Sequence, residues 1–183
     1  MNDKAEKVYA GAFFELCLEE ASDRLGDILS ELDALNGIFA ENPDFVKLLG
    51  TPTVPVEEKL GMIKDIISDG GISELTGNLL CVLTERGRMG CFGGIVKQLR
   101  ILYNDHFRIA EITVTSSSPL SEQVRENIRS RMSDVTGRTV SIKEKVDPSI
   151  IGGIVIDYGS TRYDGSVRAR LNGLKKELSG VIA

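Results

Sequence analysis

Tryptophan is absent from the 183-residue chain, and aromatic residues make up only 5% of it. Its cores must therefore be mostly aliphatic, and no aromatic-rich strand is available for base stacking. Histidine occurs once, at His106, and cysteine three times, at Cys17, Cys81 and Cys91. No Cys-x-x-Cys pair exists, and His106 has no metal-ligand spacing to any other residue, so the chain offers neither a zinc site nor a disulfide framework. The thiols read as small buried hydrophobes. His106 reads as the end of a helix, where a cation suits the dipole. No apolar run approaches the ~18 residues that a membrane span needs, and Met1-Asn2-Asp3-Lys4 leads into a charged amphipathic segment rather than a signal sequence. The expected setting is intracellular, with the chain not itself inserted in a membrane. Walker, Rossmann, His-Glu-x-x-His and Gly-x-Ser-x-Gly patterns are all missing.

What is present suits one large domain or two small ones, with enough residues to bury a core unaided. The net charge of −5 is unevenly spread. Residues 1–105 hold 10 basic and 18 acidic side chains, a net −8, whereas residues 106–183 hold 12 and 9, a net +3. A change of sign along the chain predicts two domains with different surfaces. A net +3 is too weak to argue for nucleic acid.

The first part has helical periodicity throughout. Ala5, Val8, Tyr9, Ala12, Phe13 and Leu16 recur at i, i+3, i+4, i+7, i+8 and i+11, the pattern of an amphipathic helix with Glu6, Glu15, Glu19 and Glu20 on its remaining surface. Its small residues Ala10, Gly11 and Ala12 allow another helix to come close, and Gly11 costs up to about 1 kcal/mol relative to Ala there. Ser22 is placed to cap a second helix striped by Leu25, Ile28, Leu29, Leu32, Leu35, Ile38 and Phe39. Pro43 starts a third, Pro55 a fourth that ends at Gly70-Gly71, and a fifth runs from Ile72 to Arg86. In that fifth helix Leu79, Leu80, Val82 and Leu83 cannot share one narrow stripe, so it is either central or covered by a partner. Gly87 follows as a C′ residue, and a sixth helix spans Met89 to Phe107.

The period then shifts to two. Ala110–Ser116, Thr139–Val146 and Gly153–Tyr158 read as strands. A helix beginning at Ser121 separates the first two, with Val124, Ile128, Met132 and Val135 apolar and Arg125, Arg129 and Arg131 exposed. A last helix with Val167, Leu171, Leu174 and Leu178 apolar follows Asp164, its expected N-cap. The fold class is thus α+β: an N-terminal six-helix bundle over residues 1–107, then a small β-α-β-β-α domain over residues 108–183, with three strands covered by two helices.

The stretch from Val146 to Leu171 superficially resembles an active site. Yet Gly152-Gly153 precede a strand, whereas a phosphate cradle wants glycines between strand and helix. They read as a tight strand entry with close backbone approach. Asp164-Gly165-Ser166 opens a helix, but Asp164 brings negative charge to an end that would have to attract an anion. Ser166 has no base near it in its motif. Asp147, Asp157 and Asp164 lack the spacing of a metal loop. Arg168 and Arg170 fall on different helix faces and suit carboxylates, internal or on a partner.

Several of these segments together resemble one family, the delta subunit of the bacterial F-type ATP synthase, counterpart of the mitochondrial oligomycin-sensitivity-conferring protein. Tyr9-Ala10-Gly11-Ala12-Phe13-Phe14-Glu15-Leu16 resembles the family's Tyr-Ala-x-Ala-Leu-Phe-Glu-Leu opening. Asn78-Leu79-Leu80 through Glu85-Arg86-Gly87-Arg88-Met89, the loop Ser116-Ser117-Ser118-Pro119-Leu120-Ser121, Asp147-Pro148-Ser149-Ile150-Ile151-Gly152-Gly153 and Asp164-Gly165-Ser166-Val167-Arg168-Ala169-Arg170-Leu171 follow in the family's order. Gly11 and Arg86 are mild departures. The resemblance implies a non-catalytic stator on the catalytic head, at the cytoplasmic face of the bacterial membrane, reaching that membrane only through the complex. Its N-terminal domain would hold α-subunit N-termini and its C-terminal domain the end of the b-subunit stalk, with no metal, cofactor or nucleic acid. The implied α-binding groove lies between the first and fifth helices, which gives roles to Tyr9, Ala12, Asn78, Leu79 and Val82. The alternative reading is a regulatory adaptor whose weakly basic C-terminal domain contacts nucleic acid. An enzyme built on Gly152-Gly153 and Asp164-Gly165-Ser166 ranks third.

Overall fold

The computed structural model describes residues 3–51 and 53–181, with the side chains at 69, 70 and 176–181 excluded. The chain is α+β, mostly helical with one small four-stranded sheet in its C-terminal part. It divides between Tyr103 and Asn104 into two compact units.

In the first unit, α1 (Asp3–Glu20) is followed by a 3-10 turn at Ser22–Arg24, then α2 (Leu25–Glu41), α3 (Pro43–Gly50), α4 (Val56–Gly70) and α5 (Glu74–Glu85). A second 3-10 turn at Met89–Cys91 leads into α6 (Phe92–His106), which crosses the division. Ser22 makes no cap bond: the chain tightens through the 3-10 turn first, and α2 begins at Leu25. The core is aliphatic, with Leu32, Leu49, Ile63, Leu80, Leu83 and Ile95 fully buried. Aromatic rings enter it only sparsely, as where Phe39 meets Phe92 edge-on at 5.2 Å.

Both ends of α5 are fastened. Ser73 is its N-cap, accepting from the Thr76 N–H at 3.4 Å. Glu31 of α2 accepts from the Ser73 N–H at 3.1 Å, the Ser73 hydroxyl at 2.7 Å and the Thr76 hydroxyl at 3.1 Å, so one carboxylate ties α2 to the start of α5. At the far end Gly87 takes φ +61°, its N–H bonds to the Thr84 carbonyl and the Arg88 N–H to the Leu83 carbonyl. That pair of bonds is a Schellman stop.

In the second unit, β1 (Ile109–Ser116), α7 (Glu122–Thr136), β2 (Thr139–Val146), a 3-10 turn at Pro148–Ile150, β3 (Ile154–Tyr158), β4 (Thr161–Asp164) and α8 (Val167–Val181) follow in order. The sheet runs β2-β1-β3-β4. β1 and β2 are parallel because α7 carries the chain back between them, and the other pairings are antiparallel. Ala110, Ile112 and Val114 of β1 and Val140 of β2 pack with Ile128 and Met132 of α7. Register puts Ile154, Ile156 and Tyr158 of β3 and Tyr163 of β4 on that same face.

Four expectations need correction here. A fourth strand exists: β4 closes a hairpin with β3 over Gly159-Ser160, and as a fully exposed four-residue edge it shows no apolar alternation. Val124 and Val135 are exposed, Val135 by 71%, rather than packed on the sheet. Arg125 is drawn off the exposed basic face to Glu144 of β2, with its Nε at 2.6 Å, and also pairs with Glu122. Finally, residues 171–175 of α8 are all exposed and the helix packs on the 3-10 turn at 148–150, so its apolar stripe does not cover the sheet. Leu178, expected on that stripe, lies outside the described side chains.

Candidate functional site

Tyr9, Ala12, Asn78, Leu79 and Val82 all line one open groove of about 270 Å³ between α1 and α5. Phe13, Leu16 and Leu75 complete it. The two helices contribute at matching intervals, with Tyr9, Ala12 and Leu16 on one wall and Leu75, Asn78 and Val82 on the other. That i, i+3/i+4, i+7 spacing is the repeat an amphipathic helix presents. Phe13 and Leu79 are buried and form the floor, whereas Val82 remains 42% exposed and Ala12, Leu16 and Asn78 are exposed as well. The Arg88 guanidinium lies 5.4 Å from the Tyr9 ring centroid, closing one end. Phe13, Leu16 and Leu75 were not singled out from the sequence, where they read as ordinary inward positions. Gly11, expected to admit a close neighbour, has no atom within 4 Å of where a Cβ would sit.

Cys17 of α1 is buried, and burial, with the Glu20 charge, pushes its thiol up to about 11. Burial likewise raises Cys81, with Lys64 pulling the other way. Thiols held protonated at neutral pH are poor nucleophiles and poor metal ligands.

The Val146–Leu171 stretch is brought together too, but as a backbone clasp. Gly153 has φ +78°, and a Cβ there would sit 2.3 Å from the Gly165 carbonyl oxygen. That close approach lets the Gly165 N–H reach the Ile154 carbonyl at 3.0 Å and the Val167 N–H reach the Gly152 carbonyl at 2.9 Å. Asp147 accepts from the Ser149 N–H at 2.9 Å and Asp164 from the Ser166 N–H at 3.0 Å. These bonds, helped by nearby charges that include Arg168, hold both carboxyls below the usual Asp value. The N-cap of α8 is Ser166, not Asp164: its hydroxyl is nearly buried and accepts from the Ala169 N–H at 3.1 Å. Asp164 is still part of β4 and serves the turn that precedes the cap. Asp147, Asp164 and Ser166 are thus engaged in local backbone bonds, and Arg162 lies 3.7 Å from Asp157. Among the described residues, no group of three His, Cys, Asp or Glu side chains is placed to hold a metal ion.

A second groove, about 500 Å³, lies in the second unit between α7 and the β3–β4 half of the sheet. Val124, Ile128, Val135, Ile154, Ile156 and Tyr163 supply its apolar lining, with Asn127 and Arg131 at its edge.

Residues 5–178 match the sequence model of the ATP synthase delta (OSCP) subunit family. The chain belongs to that family. Among its relatives, the ATP synthase subunit delta of Mesorhizobium japonicum is 32% identical over 94% of this chain and 92% of its own length. That of Anaeromyxobacter is also 32% identical, over 93% of this chain and 94% of its own. In fold the chain is similar to a chain of the cryo-EM structure of the Toxoplasma gondii mitochondrial ATP synthase hexamer, with a TM-score of 0.66 and 22% identity, over 94% of this chain and 96% of that one. Members of the delta family are non-catalytic, peripheral stator subunits of the F-type ATP synthase. Among the described residues, no helix is long and apolar enough to cross a membrane.

Proposed function

We propose that the α1/α5 groove holds the N-terminal amphipathic segment of an α subunit, while the second unit holds the C-terminal end of the b-subunit stalk. In this reading residues 1–107 form a six-helix bundle that grips the catalytic head, and residues 108–183 face the stalk. The subunit then works at the cytoplasmic face of the bacterial membrane, passing torque between two partners without bond chemistry. One observation supports the reading above others: an apolar trough of helical repeat is left open by the chain's own packing. Its exposed polar side chain, Asn78, is available to a partner's backbone or side chains. In the second unit, the uncovered β3–β4 half of the sheet offers the apolar surface that a stalk helix requires.

Ala12→Trp tests this directly, because Ala12 is exposed in the groove and its replacement need not disturb the core. With helix content and melting unchanged, affinity for a synthetic α-subunit N-terminal peptide should fall roughly tenfold or more in calorimetric titration. Undiminished binding would remove the groove assignment.

A further inference from the structure

The groove has a direction. Arg88, just past the C-terminal end of α5, sits over Tyr9 in the N-terminal half of α1. The two helices therefore run antiparallel along the groove, with Val82 toward Tyr9 and Leu75 toward Leu16. Seven residues separate each pair, Tyr9 from Leu16 and Leu75 from Val82, which is about 10.5 Å on both walls at 1.5 Å per residue.

The charges at the two ends differ. Beyond Leu16, the groove-facing side of α1 continues one turn on to Glu19 and Glu20, both exposed, and the last turn of α1 has no basic residue. Glu74 stands beside Leu75 on the opposite wall, also exposed. Asp23 and Arg24 in the following turn offset each other. None of the three glutamates is in an ion pair among the described residues, so that end carries a net −3. At the other end, Arg86 and Arg88 outweigh Glu85, Lys7 is paired with Asp3 at 2.9 Å, and Lys4 balances Glu6, leaving a net +1.

We propose that this gradient orients the bound helix antiparallel to α1, with a basic N-terminal half beside Glu19, Glu20 and Glu74 and its C-terminal end at Arg86 and Arg88. A helix carries about half a positive charge at its N-terminus and half a negative charge at its C-terminus, so only this direction places both ends against opposite charge. Lys or Arg side chains in its first two turns then face the glutamates, while its apolar face covers Ala12, Leu16, Leu79 and Val82. The inference rests on the helix-binding reading of the groove and adds to it a direction and a charge pattern for the partner.

The test uses the full, isotope-labelled chain and a synthetic peptide of the cognate α-subunit N-terminal segment, with a nitroxide at either its first or its last residue. The N-terminal label should broaden the amide signals of Glu19, Glu20 and Glu74, and the C-terminal label those of Tyr9 and Arg86. The reverse pattern overturns the orientation while leaving the groove in place. Broadening at neither end of α1 and α5 overturns the groove reading as well. Charge reversal gives an independent arm: the combined Glu19→Lys, Glu20→Lys and Glu74→Lys variant should bind roughly tenfold more weakly at low salt, with the difference shrinking as salt rises. Equal binding by the folded variant would contradict the charge pattern.

Discussion

The α1/α5 groove and the Val146–Leu171 clasp invert each other's appearance. The clasp collects aspartates, serines and glycines, much of the usual raw material of an active site, and commits Asp147, Asp164 and Ser166 with the glycine backbone to bonds at 2.9–3.1 Å. The groove is made of Ala, Leu, Phe, Tyr, Val and one Asn, the raw material of a core, and leaves them open. Satisfied polar groups hold structure, whereas unsatisfied apolar surface seeks a partner.

That contrast can be broken at several points. The largest effect is expected from Gly153→Ala. The left-handed φ and the 2.3 Å approach to the Gly165 carbonyl leave no room for a Cβ, so the second unit should lose roughly 4 kcal/mol or more. Residue-resolved hydrogen exchange would show the loss in β3, β4 and the start of α8; an unperturbed second unit would mean the clasp is not the constraint. Next comes a pair on α5, two residues apart. Leu80→Ala removes a fully buried side chain and should cost about 2–5 kcal/mol, while Val82→Ala, at the groove, should cost under about 0.5 kcal/mol in denaturant melts yet weaken α-peptide binding. Equal stability losses would make Val82 a core residue and close the groove.

The smallest effect concerns pH. Asp147 and Asp164 have depressed folded values, so their contribution is fully present above the ordinary Asp value of 3.8 and is lost as pH falls below it. Melting of the second unit should therefore hold down to about pH 4 and drop as the pH is lowered further. The Asp147→Asn, Asp164→Asn double variant should lose part of that dependence.

Helices with strong periodicity were readable in advance, because burial of one face every 3.6 residues leaves its mark on composition. Gly87 was readable as a stop because a residue without a Cβ readily takes the left-handed φ that ends a helix. β4 was not: Thr161-Arg162-Tyr163-Asp164 is an exposed edge, and what makes it a strand is pairing with β3 rather than its own pattern. Asp164 was the expected cap, but the helix starts at Val167 and only Ser166 is in place. Val124 and Val135 show the limit most clearly. An apolar stripe on a helix does not say whether the chain itself or a partner covers it. On α5 the excess of apolar positions around Val82 did mark a side chain that the chain's own core leaves exposed, since four large residues so close together exceed what one internal face can bury. Phe13, Leu16 and Leu75 carried no such excess and became visible only in three dimensions.

The central claim is that two surfaces on one chain hold two different partners. It is tested most directly by using the full chain as bait on detergent-solubilised cognate membranes and identifying the retained subunits. Wild type should retain both α and b, and Ala12→Trp should lose α while keeping b. Retention of α by the folded Ala12→Trp variant, or failure of wild type to retain either subunit, would contradict the account.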